Sequence, residues 1–148
     1  MVSVTKSLAG THEVAKNFLE HLAGREGQAT VVCLYGNLGA GKTSFTQGLA
    51  VALEIPGNII SPTFVIEKIY KIGKKCFFKN LIHIDAYRLN SGAELLKIGW
   101  NDVLSDQKNL IVLEWPERVV EVLPKDCKKI YLEFVDEDTR KIEFKDEK

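Results

Sequence analysis

Eight consecutive residues carry the strongest chemical signal in this 148-residue chain: Gly36-Asn37-Leu38-Gly39-Ala40-Gly41-Lys42-Thr43. Glycines at 36, 39 and 41 let backbone wrap closely round an oxyanion and take up dihedrals closed to other residues. The N–H groups from Asn37 through Ser44 then converge at the start of a helix, where the dipole also favours negative charge. Lys42 adds a point charge for β- and γ-phosphates, and the Thr43 hydroxyl is a hard oxygen suited to Mg²⁺. On average residue frequencies this pattern arises by chance in under roughly 1% of chains of this length, so a Gly-rich turn with an incidental Lys-Thr is the poorer reading.

A bound nucleotide's metal also needs a carboxylate, which in P-loop proteins commonly ends an apolar strand beside the loop. Two such ends occur, Leu81-Ile82-His83-Ile84-Asp85 and Leu110-Ile111-Val112-Leu113-Glu114. One would hold Mg²⁺ and the other orient the attacking water. Spacing does not assign the roles, and either acid alone would also serve as a helix cap or surface ion pair. His83 alternates with apolar neighbours and reads first as a buried core histidine. Trp115 reads equally as a cover for the nucleotide, a partner contact or a core aromatic. Arg88, three residues past Asp85, reads as one half of an ion pair before it reads as an arginine finger. Lys71, Lys74, Lys75 and Lys79 read as a solvated turn, with nucleic-acid or partner contact as the alternative.

The elements needed to position these groups follow from hydrophobic periodicity. Thr11 is expected to cap a helix to about Ala23, with Val14, Ala15, Phe18, Leu19 and Leu22 on one stripe. Ala29–Tyr35 is a β-branched run typical of a strand buried on both faces, and Lys42 to about Leu53 is a helix ended by Pro56-Gly57. Phe64–Lys71 reads as a strand, with Gly73-Lys74-Lys75 turning into a second one. Leu81–Ile84 and Leu110–Leu113 are further strands, Gly92–Ile98 a short helix, and Pro116 suits the start of a helical turn near residues 117–122. Lys129–Phe134 and Arg140–Phe144 form a terminal hairpin. These alternations predict a single α/β domain over residues 1–148, of the three-layer P-loop NTPase type. Its central sheet would be largely parallel, with antiparallel additions and the C-terminal hairpin.

Composition narrows the function classes. Apolar content of 45% and charged content of 27% suit a soluble globular chain. No apolar run reaches the roughly 18 residues of a membrane span, and the first six residues lack the apolar core of a secretory signal. Twenty basic residues balance twenty acidic ones, whereas a stand-alone nucleic-acid binder carries a positive excess, so any nucleic acid is expected to be held through a partner. Cys33, Cys76 and Cys127 form no C-x-x-C pair, which predicts neither zinc nor disulfides and a cytoplasmic setting. Asp85 is followed by Ala86, Tyr87 and Arg88 rather than D-x-x-G, and no N-K-x-D occurs, which argues against GTP. Four arginines, Arg25, Arg88, Arg118 and Arg140, are few for a nucleotide kinase with an Arg-rich lid.

The ordered set LYGNLGAGKTSFTQGLA, SPTF at Ser61–Phe64, IHIDAYRL at Ile82–Leu89 and LEWPERV at Leu113–Val119 resembles the TsaE (YjeE) family from about Thr11 to Phe144. The resemblance implies a bacterial ATPase that uses Mg²⁺ and ATP in the threonylcarbamoyl modification of adenosine beside the anticodon in tRNA. It would act with a TsaD transferase and its TsaB companion, without transferring the group itself. It further implies Mg²⁺ on Thr43 and Glu114, a role for Asp85 in hydrolysis, and a switch-like segment at Ser61-Pro62-Thr63. Adenine contacts would come from about Ser7 to Thr11 and from Arg140. Asn37 departs from the Asp common in the family and removes one negative charge near the phosphates. A nucleotide-gated adaptor with incidental hydrolysis, or less readily a small-molecule kinase, are the alternatives.

Overall fold

The computed structural model describes residues 1–37, 39–57 and 66–146. Among them β1 (Val2–Thr5), α1 (Leu8–Glu20), β2 (Thr30–Tyr35), α2 (Lys42–Ala52), β3 (Glu67–Lys71) and β4 (Asn80–Asp85) come first. Then follow α3 (Gly92–Lys97), α4 (Trp100–Leu104), β5 (Asn109–Glu114), β6 (Lys128–Phe134) and β7 (Arg140–Asp146). Two 3₁₀ turns, Pro116–Arg118 and Val120–Val122, link β5 towards β6, with Pro116 at the first helical position as expected. The described strands form one sheet in the order β1-β7-β6-β2-β5-β4-β3. β6, β2, β5 and β4 run parallel, while β7, β1 and β3 are antiparallel additions. This is the α/β class that the alternation of elements predicts.

Pleat parity sorts the core. Val32, Leu34, Leu81, Leu110 and Val112 pack with α1 and α2 through Ala15, Phe45 and Leu49. Val31, Cys33, Ile82, Ile84, Ile111 and Leu113 line the opposite face with Leu95 and Trp100. Because successive side chains alternate, His83 and Asp85 belong with Leu81, and Glu114 belongs with Val112, on the face that α2 covers.

Several expected elements differ. α1 begins at Leu8, where the Ser7 hydroxyl accepts the Gly10 N–H at 2.9 Å, so Ser7 is the cap rather than Thr11. Gly10 lowers helix propensity in the first turn and masks the true start. Thr11 lies inside the helix, buried, with its hydroxyl 2.9 Å from that of Thr5, and the helix stops at Glu20 rather than Ala23. No separate strand follows Gly73: Ile72 N–H donates to Lys79 O at 3.0 Å across the loop, and the return arm is β4 itself. Phe78 turns inward there instead of continuing a ladder. β1 and α4 are unanticipated, being four and five residues long. Phe64 and Val65, at the start of the expected strand, lie outside the described residues. None of the three cysteines is in a disulfide, and no helix among the described residues is long and apolar enough to cross a membrane.

α1 and α2 meet at Gly48. A Cβ there would lie 2.9 Å from both the Ala15 Cβ and the His12 Cα, closer than packed carbons tolerate. Gly48→Leu is expected to lower unfolding free energy by about 1–3 kcal/mol through overpacking, measured by urea denaturation. Gly48→Ala should not show the gain of roughly 1 kcal/mol that helix propensity alone would give.

Candidate nucleotide-binding site

The loop leaving β2 is shaped by close backbone approach. At Gly36, a Cβ would sit 2.7 Å from Leu132 O and 2.9 Å from the Ala40 Cβ, so β6 leaves no room for a side chain. Gly39 (φ 83°) and Gly41 (φ 102°) both occupy the left-handed region, which costs other residues strain. Gly41 is the N-cap of α2 and offers no side chain to the first N–H groups of that helix, which remain available to an anion. Leu38 and the Ser61-Pro62-Thr63 segment lie outside the described residues.

Around this loop opens a cleft of about 350 Å³ lined by Asn37, the stretch from Gly39 to Ser44, Asp85, Glu114, Trp115 and Arg140. It lies at the carboxyl ends of the parallel strands, where open α/β sheets place ligands. The carboxylates meet here because β4 and β5 pair in a register that sets Asp85 opposite Glu114, while Leu34 of β2 faces Glu114 from the other side. Both acids are buried, at 5% and 3% exposure. Asp85 Oδ1 accepts the Tyr87 N–H at 2.9 Å, closing a turn at the end of β4. Glu114 Oε2 lies 2.6 Å from Nε2 of the fully buried His83. Sequence alone left His83 as a core residue. Its position two residues before Asp85 puts it on the same strand face, but its contact with Glu114 depends on the pairing of β4 with β5.

Lys42 is only 6% exposed, and its ammonium has no hydrogen-bond partner among the described residues. The nitrogen sits 4.0 Å from the centroid of the Trp115 ring, a cation–π contact that supplies no acceptor. Burial lowers the Lys42 pKa from its ordinary value, opposed by the negative charges of Glu114, Asp85 and Glu117. A buried cation without an acceptor is costly, and phosphate oxygens supply both charge and acceptors. Trp115 is held by a left-handed backbone (φ 58°) and stands 5.1 Å from the Tyr87 ring. Its place in the cleft is where a nucleotide cover would stand, one of the readings the sequence leaves open.

A second cleft of about 240 Å³, lined by Ser7, Leu8, Thr11, Gly41, Ser44, Glu137, Asp138 and Arg140, shares Gly41, Ser44 and Arg140 with the first. Thr11 and Arg140, expected from distant parts of the sequence, therefore abut the loop. The Thr11 hydroxyl is engaged by Thr5, so Thr11 contributes surface more than a free donor. Arg140 folds back over its own hairpin, donating from Nη1 to Asp136 O at 2.6 Å and Thr139 O at 3.0 Å, with its guanidinium 4.7 Å from the Phe134 ring. A larger groove of about 610 Å³ between α1 and the β1–β7 edge holds none of the predicted chemistry. Arg88 and the lysines at 71, 74, 75 and 79 are exposed, and none lines either cleft beside the loop.

Thr43 and Glu114 line one cleft and are both oxygen donors. Among the described residues no three His, Cys, Asp or Glu side chains converge as a ready-made metal cage. That donor set fits Mg²⁺, which is commonly bound by one or two protein oxygens together with substrate phosphates.

Comparison with known proteins places this geometry in a family. A TsaE from Aquifex aeolicus, described as a tRNA threonylcarbamoyladenosine biosynthesis protein, is 33% identical over 142 residues, covering 94% of this chain and 91% of that protein. The TsaE of Borreliella burgdorferi, with the same description, is 38% identical over 96 residues, 65% of this chain and 66% of its own length. The crystal structure of Bacillus subtilis YdiB superposes with a TM-score of 0.78 at 27% identity, covering all of this chain and 86% of that one. The family model described as threonylcarbamoyl adenosine biosynthesis protein TsaE matches residues 5–142, and the chain belongs to the TsaE family.

Proposed function

We propose that this protein is an Mg²⁺-dependent ATPase that serves the machinery making threonylcarbamoyladenosine in tRNA, acting with TsaD- and TsaB-type partners to sustain their turnover. The observation that carries the nucleotide reading is the buried Lys42 ammonium, without a hydrogen-bond acceptor among the described residues, in a cleft that also holds two register-matched carboxylates. Family membership carries the pathway. Zero formal net charge favours contact with tRNA through the partners rather than direct binding.

In this reading the backbone of Asn37–Ser44 and the Lys42 ammonium bind the phosphates and stabilise charge on the transferring group, so catalysis is positioning plus electrostatics. Thr43 and Glu114 would hold Mg²⁺, which when bound neutralises phosphate charge. Asp85 orients the attacking water or takes its proton. The second cleft, with Thr11 and Arg140, receives the base and ribose.

Lys42→Ala is expected to lower ATP hydrolysis by roughly 100-fold or more, assayed as phosphate release from purified, folded protein with its partners present; turnover like the native chain's would sink this mechanism. Asp85→Asn keeps an acceptor for the Tyr87 N–H, so it should fold and bind ATP while hydrolysis falls by a factor on the order of 100. The same variant separates motor from adaptor. Loss of multiple-turnover tRNA modification supports the ATPase, whereas full support over many cycles means that hydrolysis is incidental. Depleting the protein in cells should reduce threonylcarbamoyladenosine in bulk tRNA, read by nucleoside mass spectrometry.

A further inference from the structure

The phosphate-binding reading leaves His83 without a task. The side chain is fully buried in the middle of the sheet, where burying an imidazole costs free energy unless its nitrogens find partners. An apolar residue would fill the same space between Leu81 and Asp85 on that face of the sheet more cheaply. One partner is present: Nε2 lies 2.6 Å from Glu114 Oε2. The other nitrogen, Nδ1, is buried and has no partner among the described residues. A proton on Nδ1 would therefore be a stranded donor, the more costly kind of buried orphan. The single proton belongs on Nε2, which donates to the carboxylate, while Nδ1 keeps a bare lone pair.

Removing one partner of such a buried pair is strongly destabilising, yet the intact pair is seldom worth more than apolar packing. What the pair supplies is orientation. A glutamate has three rotatable side-chain bonds, and a strand-end glutamate facing a cleft would sample several carboxylate directions. The bond from β4 crosses diagonally to Glu114 on β5, because Asp85 and not His83 is its direct register partner. It fixes one carboxylate oxygen and with it the plane of the group that lines the cleft.

We propose that His83 is a positioning residue: its Nε2–H holds the Glu114 carboxylate in the one orientation that meets the divalent cation of a bound nucleotide. This rests on the reading of Glu114 as a cation ligand. The test uses the full chain with a non-hydrolysable ATP analogue and Mn²⁺ as a paramagnetic probe of metal affinity. His83→Phe keeps a flat ring without the donor, and His83→Gln carries an amide nitrogen near the former Nε2. His83→Phe should weaken Mn²⁺ binding to the nucleotide-loaded protein about 10–100-fold, with metal-free nucleotide affinity changed by less than about threefold, since the loop is intact. His83→Gln should recover most of the loss. Unchanged Mn²⁺ affinity in His83→Phe, or a Gln variant no better than Phe, overturns the proposal. Glu114→Gln, run alongside, separates the two ideas. If it leaves Mn²⁺ affinity unchanged, the ligand assignment itself fails; if it weakens binding while His83→Phe does not, only the positioning role fails. Nitrogen-15 NMR of the native chain needs no variant to fold: His83 should be the Nε2–H tautomer, and an Nδ1–H tautomer overturns the assignment.

Discussion

Keeping the Lys42 ammonium out of water is unfavourable unless something replaces its hydration, and most of the site can be understood from that requirement. The chain offers a π face at 4.0 Å and carboxylates further off, but no acceptor in hydrogen-bond contact among the described residues. Direct pairing with Asp85 or Glu114 would satisfy the lysine and also close the site to anions. Each acid is instead engaged elsewhere, Asp85 by the Tyr87 N–H and Glu114 by His83. The lysine is left with a deficit that a phosphate is suited to fill. Binding energy is thus reserved for a group that brings its own oxygens.

That arrangement depends on the sheet more than on the loop. A one-residue slip between β4 and β5 would move His83 and Asp85 to the face of Trp100, away from α2. Leu81 and Leu110 are packed on the face of α1 and α2, and Ile82 and Ile111 on the face of Trp100, so a slip would break close packing on both faces. The helix is secured in turn by the contact of Gly48 with α1. Chemistry at the carboxyl end therefore rests on packing several residues back along the same strands, by side chains that do not line the cleft.

The central strands, α2 and the glycine loop were legible because their signals are local: β-branched runs, a helical stripe and a motif whose residues are contiguous. What escaped depends on relations between distant parts of the chain. β1 is four residues of alternating Val and polar side chains, too short to stand without β7 to pair with. α4 exists because Trp100 is buried and bonded through its indole N–H to Val122 O at 3.1 Å, a tertiary contact invisible in a five-residue window. The start of α1 is ambiguous in the sequence because Ser7 and Thr11 can both cap a helix and Gly10 lies between them. In the site, both acid-ended strands were readable, but the bond between His83 and Glu114 needs the parallel register, which hydrophobic pattern does not specify.

Asn37 can be weighed in the same terms. The charged side chains lining the cleft are Lys42 and Arg140 against Asp85 and Glu114, so their formal charges cancel. An aspartate at position 37 would leave the protein side of the cleft with one net negative charge, which would oppose a bound polyanion. Asparagine keeps that balance even while the anion-binding work stays with backbone N–H groups, which carry no formal charge and are indifferent to the side chain. In the proposed reading the loop's affinity for phosphate follows from its glycines and from Lys42. The side chain at 37 tunes the surrounding field, and an uncharged residue there reduces repulsion without removing a donor.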